Sequence, residues 1–333
     1  MQVSRRTLIA AASSAVAAVI LIGGFLLLQG DAKPTPGKSS PTATRTALTS
    51  PFTGEPIKSL GPELIVKIDN VAQARPPTGL TKADVVYLLP VEGGLSRIFA
   101  VFSSHIPPLI GPVRSAREED IELLRQFGTP AFAFSGAQPR LLPVVERARI
   151  VNLYAGIVGG YYRDLSRIEP YNLYARTRQL LAEAPHASRA TDIGFRFGPA
   201  PAGGKPVSSY SVSYPAAAFT FRWSSAGRRW LVWMDGKPAY ATEGGQLGGR
   251  TVVVQYVRVA TSGFLELGIR PPFANTVGSG SAVVLRDGRS YQVRWSRPDA
   301  DGGTVFTLPT GQRMPFARGQ VWVVYGYGPG SAR

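Results

Sequence analysis

The chain has 333 residues, with 37 Lys+Arg against 21 Asp+Glu for a net charge of +16, and 44% of it is hydrophobic. That length and composition describe a globular protein with room for two ordinary domains rather than a disordered one. Cysteine is absent and only His105 and His186 occur. This excludes disulfides, a thiol nucleophile and a lipid-bearing cysteine, and leaves no usual zinc set, so no metal or cofactor is expected.

The excess of arginine has two readings: a compositional bias shared with Ala, Gly and Pro, or attraction to an anionic envelope surface. The cations are scattered singly and match no nucleic-acid motif, so nucleic acid is not expected as a partner.

From Thr7 to Gly30 no residue is charged. A helix of that length at about 1.5 Å per residue can cross a bilayer core. Arg5 and Arg6 precede it and Asp31 follows, which places the N-terminus inside and the bulk of the chain outside. Residues 1–30 are therefore expected to be an uncleaved single-pass anchor in the cell membrane. SRRTLI at Ser4–Ile9 gives a second possibility, a twin-arginine export signal. Residues 31–50, rich in Pro, Ser, Thr and Lys, read as a solvated tether.

Beyond it, a fold of the α+β class is expected: a mixed α/β domain over 51–198 and a mainly β domain over 205–328. Leu64–Ile68 and Ala83–Pro90 read as strands. Ser96–Phe102 follows the Gly93–Gly94 turn as the second arm of a hairpin. Ser115–Phe127 reads as an amphipathic helix capped by Ser115 with Glu118, Ala131–Ser135 as a strand, and Gln138–Ala148 and Tyr174–Ala184 as helices. After the Gly/Pro segment Gly198–Lys205, short strands are expected at Ala218–Trp223, Arg229–Met234, Thr251–Val259, Ser281–Arg286, Tyr291–Ser296, Thr304–Leu308 and Val321–Tyr325, with Asp-Gly turns at Asp235 and Asp287.

The candidate site is a concentration of charge beside the first strands. Arg97, Arg114 and Arg117 offer planar guanidiniums suited to an oxyanion, or else pair internally with Asp84, Glu92 and Glu118. Asp69 and Asn70 close an apolar strand, where a carboxylate either works in a site or caps a turn. Arg75 lies in the loop that follows. Asp84 opens a strand and reads as a backbone cap, and Glu92 precedes the Gly-Gly turn. Arg163, Arg167, Asn172 and Tyr174, with Asp164, form a second polar group able to face the first. Trp223, Trp230, Trp233 and Trp295 suit either core packing or a sugar platform.

These segments carry a resemblance. IDN (Ile68–Asn70), ARP (Ala74–Pro76), ADVVY (Ala83–Tyr87), VEGGLSR (Val91–Arg97), IGPVRSAR (Ile110–Arg117) and YRDLSRIEPYNLY (Tyr162–Tyr174) resemble the YerB-like family, domain of unknown function 3048. The second half resembles it more loosely, through DGKPAY, RDGRSYQVRWSR and GQVWVVY. The resemblance covers residues 51–326 and implies a two-part extracytoplasmic protein with no settled biochemical role. Tyr171 stands where the family pattern reads His, which removes any imidazole role there. The family's anchoring cysteine is missing, with the apolar N-terminus in its place.

Two functions follow as expectations. One is a membrane-anchored, non-catalytic protein that binds an anionic envelope polymer, lipid-linked glycan or partner through an Arg/Asp-lined cleft. The other is a metal-assisted phosphotransferase or hydrolase acting on a pyrophosphoryl-linked envelope glycan, by distant likeness to the LytR-CpsA-Psr phosphotransferases.

Overall fold

Strands Leu64–Asp69, Val85–Pro90 and Ser96–Phe102 are buried at every position. Strands buried on both faces need a layer on each side, and the computed structural model, which describes residues 47–266, 268–329 and 331, supplies both. Residues 1–46, with the expected anchor and most of the tether, lie outside the described residues. Among those described, no helix is long and apolar enough to cross a membrane.

The central sheet has eleven strands. Ten of them lie in the order Val305–Thr307, Arg289–Arg297, Gly278–Arg286, Thr251–Val257, Val321–Tyr327, Val85–Pro90, Ser96–Phe102, Leu64–Asp69, Ala131–Phe134 and Val151–Tyr154. The two halves of the chain meet where Val85–Leu88 runs parallel to Val321–Val324. The segments 51–198 and 205–328 thus share one sheet through backbone hydrogen bonds.

Alternation along each strand sorts the side chains into two cores. Val66, Ile68, Val86, Leu88, Val252 and Trp322 face one side. There they meet a second sheet of five strands, built around Ser209–Tyr214, Ala217–Ser224 and Arg229–Met234. Ile65, Tyr87, Phe99, Phe132 and Val323 face the other side, against helix α1 (Glu118–Leu124) and Phe127. Lys67 and Asp69 share the strand face of Ile65, and Arg97 shares that of Phe99. Three charged groups, Lys67, Asp69 and Arg97, therefore point toward α1, and each must find a partner there.

Tyr214 fastens the small sheet to the large one: its hydroxyl lies 2.9 Å from the Tyr325 carbonyl and 3.1 Å from that of Leu88. Tyr214→Phe is expected to cost about 1 kcal/mol, the usual worth of one buried hydrogen bond. A urea midpoint shift at unchanged slope would show it.

Three elements differ from expectation. The helix begins at Glu118, not Ser115, because the Arg114 and Ala116 amides are bonded to Lys67 and Gly136 carbonyls. Its cap is Asp120, whose Oδ2 accepts from the Arg117 amide at 2.7 Å. Leu173–Arg176 is a strand paired with Tyr161–Arg163 and Leu109–Ile110, and α-helix starts only at Thr177. The strand Ser209–Tyr214 was not foreseen, although its serines face solvent while Tyr210, Val212 and Tyr214 alternate inward.

Candidate functional site

Antiparallel pairing of Leu64–Asp69 with Ser96–Phe102 sets Asp69 directly across from Arg97, at the end of the sheet where the Val91–Leu95 turn reverses the chain. Gly94 lies at φ +69°, and a Cβ there would approach Pro215 Cβ to 2.6 Å. The turn can therefore dock on the Tyr214–Ala217 turn of the small sheet only if that residue is glycine. This docking places Glu92 between two buried guanidiniums. Its Oε1 accepts from Arg97 Nη2 at 2.9 Å, and its Oε2 from Arg117 Nε at 2.9 Å. Arg117 Nη2 closes a second bond to Oε1 and reaches Glu266 at 3.3 Å.

Burial alone would raise the Glu92 carboxyl, but the hydrogen bonds from Arg117 and the Arg97 charge outweigh it and hold it at about 2. Burial, together with the neighbouring Arg117 charge, lowers Arg97 to about 10.

Arg114 reaches back to Asp69, with Nε 2.7 Å from Oδ2 as an ion pair whose N–H is turned away from the oxygen. Asp69 Oδ1 meanwhile accepts from the Asn70 and Val71 amides at 2.8 and 3.3 Å. Asp69, Glu92 and Glu266 thus match Arg97, Arg114 and Arg117 charge for charge. This arrangement stiffens the hairpin and the start of α1, and it leaves none of the three arginines with a full charge to offer an oxyanion.

The second polar group does face the first. Arg167 bonds the Tyr174 hydroxyl and the Pro76 carbonyl, and the Arg114 guanidinium lies 5.8 Å from the centre of the Tyr171 ring. Arg163 donates to Asn172 Oδ1 at 2.7 Å and lies 3.4 Å from Glu169, at the exposed margin. Asp84 does not join them. It sits at the opposite end of its six-residue strand, about 20 Å away at ~3.3 Å per residue. Its Oδ2 accepts from the Ser103 and Ser104 amides at 2.6 and 2.8 Å, and burial raises its carboxyl to about 6 against those bonds.

Open space lies beside this cluster rather than within it. A cavity of about 300 Å³ is lined by Asn70, Arg75, Ser96, Tyr171 and Asp235. It adjoins another of about 530 Å³ lined by Arg75, Pro76, Lys237, Pro238 and Tyr240. Arg75 stands where they meet, its Nη1 2.6 Å from Asp235 Oδ2 and its Nη2 2.7 Å from the Asn70 carbonyl. Lys237 has no carboxylate partner among the described residues, and Tyr240 is 52% exposed. Of the arginines named from sequence, Arg75 is the one that lines this groove.

Asp235, Lys237 and Tyr240 were missed as site residues, although DGKPAY was visible as a turn. Nothing in one sequence indicates that this turn would cross to residues 70–77. Trp230 and Trp295 belong to the cores, and Trp233 lies under Arg222 at 4.5 Å, so the four tryptophans form no common platform.

Together these features define an α+β protein: one mixed sheet covered by a small sheet and a helix, with a polar groove at the seam. The model described as "Protein of unknown function (DUF3048) N-terminal domain" matches residues 52–191, and that for its C-terminal domain matches 210–323. The chain belongs to the DUF3048, or YerB-like, family. The "Putative lipoprotein YerB" of Bacillus subtilis (strain 168) is 36% identical over 118 residues, which make up 34% of this chain and 34% of that protein. The chain thus aligns with about a third of its relative's length. The crystal structure of YerB from Bacillus subtilis superposes with a TM-score of 0.72 over 84% of this chain and 96% of the other, at 20% identity. That likeness is one of fold alone.

Proposed function

We propose that this protein is a non-catalytic binding module of the cell envelope, held at the membrane by its N-terminal segment, and that its ligand is an acidic glycan. The carrying observation is the joined groove around Arg75. Two cations, Arg75 and Lys237, stand there against the single carboxylate of Asp235, between the rings of Tyr171 and Tyr240. Sugar rings pack on aromatic faces, their hydroxyls take hydrogen bonds from paired Arg and Asp groups, and a pendant acid finds the surplus cation. The name of the Bacillus relative and the uncharged stretch Thr7–Gly30 support the envelope location.

The metal-assisted alternative is not adopted. Asp69 and Asp84 are both occupied by amides or Arg114. No group of three His, Cys, Asp or Glu is gathered among the described residues.

The test is calorimetric titration of the full chain in neutral detergent, with a uronate-bearing oligosaccharide and a neutral one of equal length. The acidic ligand is expected to bind more tightly. Tyr240→Ala, an exposed substitution that spares the fold, is expected to weaken it about tenfold, the worth of one aromatic contact. Binding of neither sugar, or equal binding by Tyr240→Ala, would overturn the proposal.

A further inference from the structure

The other end of the sheet carries the opposite electrostatic arrangement from the balanced cluster around Glu92. There Thr251 pairs with Arg286 and, on its other side, with Val321. The loops at this end of the strands enclose a cavity of about 800 Å³ with Arg228, Arg250, Arg286 and Arg318 on its walls and Trp223 along one side. Asp287 is the one carboxylate lining it, and Asp287 is already taken: Arg286 Nε and Nη2 lie 2.9 and 2.8 Å from its Oδ2. Arg286 Nη1 is used as well, by the Gly198 and Pro315 carbonyls at 2.9 and 2.8 Å.

That leaves three guanidiniums. Arg228, Arg250 and Arg318 have no carboxylate partner among the described residues, and Arg250 Nε is buried without a hydrogen-bond acceptor. The neighbouring Arg229 responds to this field: burial, and then the charge of Arg250, lower it from its ordinary value. Like charges gathered within a Debye length of about 8 Å repel one another. A fold keeps them together without internal neutralisation when an outside anion completes the site. At the Glu92 end, by contrast, Arg97, Arg114 and Arg117 each have a carboxylate partner.

We propose that this cavity binds a phosphoryl anion, with Arg250 and Arg318 as its principal ligands, Arg228 closing over it, and Arg286 holding the floor in place through Asp287. Planar forks suit phosphate oxygens bidentately, and the indole of Trp223 keeps bulk water from one side, which strengthens each charge-assisted bond. The cavity is larger than a single phosphate and fits a diphosphate or a phosphate monoester with its substituent. The phosphoryl group can come from a soluble diphosphate or from a lipid headgroup, and the two sources are separable. This site shares no residue with the groove around Arg75.

The experiment titrates the full chain in neutral detergent with inorganic pyrophosphate and, separately, with sn-glycerol 3-phosphate as the headgroup fragment. Saturable binding is expected for at least one of them, weakening as salt rises. Preference for pyrophosphate assigns the soluble source; preference for glycerol phosphate assigns the headgroup. Arg318→Glu is expected to abolish binding and Arg250→Ala to weaken it at least about tenfold, as loss of a charge-assisted contact does. If Arg250→Ala unfolds, the exposed Arg318→Glu and Arg228→Ala decide. Tyr240→Ala should leave pyrophosphate binding unchanged, so failure of the glycan groove would not be mistaken for failure here. No saturation by either anion, or unaltered binding by Arg318→Glu, would overturn the proposal.

Discussion

Glu92→Gln is expected to destabilise the fold by about 3–5 kcal/mol, because it strips the shared counter-charge from two guanidiniums that cannot reach water. Arg97 and Arg117 are 5% and 3% exposed, and Glu92 is bonded to both. The glutamine keeps the shape and removes the charge, so the loss is electrostatic rather than steric. Glu266 touches the same group only through Arg117 at 3.3 Å, and Glu266→Gln is expected to cost about 1 kcal/mol or less.

The pH dependence of this interaction has a definite sign. The folded Glu92 carboxyl is held at about 2 against an ordinary 4.5. Its contribution is therefore complete above pH 4.5 and disappears as pH falls toward 2. Urea unfolding of wild type and Glu92→Gln at pH 7 and pH 3 checks both parts. The gap between the two proteins should narrow in acid, and an equal gap at both values would refute the assignment.

The second large effect runs the other way. Glu63 and Glu119 are 0% and 1% exposed and each is raised by burial to about 8. The Thr191 amide opposes the shift at Glu63. At Glu119, Lys67 opposes it and Asp120 adds to it. Glu63 Oε2 and both Glu119 oxygens lack any hydrogen-bond partner among the described residues. Lys67 does not relieve Glu119, because its Nζ is committed to Asp120 at 2.5 Å.

A carboxyl whose folded value lies above its unfolded one adds stability that is complete below pH 4.5 and is lost as pH rises through 8. Wild type is therefore expected to lose on the order of 3 kcal/mol per carboxyl between pH 5 and pH 8.5. Asp84, raised to about 6, adds a smaller loss over pH 4 to 6. With the acid-side loss from Glu92, the stability maximum falls near pH 4. Glu119→Gln and Glu63→Gln should each flatten the alkaline limb and leave the pH 5 value nearly unchanged. A wild-type profile level from pH 5 to 8.5 would remove the basis for this prediction.

Much of the scaffold was legible without coordinates. The apolar runs from Leu64 to Phe102 read as strands, and the Gly93–Gly94 pair as the turn that reverses the chain. The strand–turn rhythm beyond residue 205 could form only β-structure. The density of Asp69, Arg97 and Arg114 along one short stretch of sequence was equally visible, and pairing of Leu64–Asp69 with Ser96–Phe102 brought them together.

Other features depended on contacts between residues far apart in the chain. The recurrence of Ile121, Leu124 and Phe127 was a genuine helical signal, and Tyr174–Ala184 also read as helix. Backbone bonds to Lys67, Gly136 and Gly160 claimed the first residues of each run for extended structure. Propensity is local, and such bonds override it. Composition established a surplus of positive charge and the absence of thiol chemistry. Whether a given arginine is neutralised or left exposed was decided by folding alone. Arg117 met Glu266, 149 positions away, whereas Arg250 and Arg318 met no carboxylate among the described residues. Charge pairing depends on distance in space, and here that distance is set by how the strands of the two halves pair across one sheet.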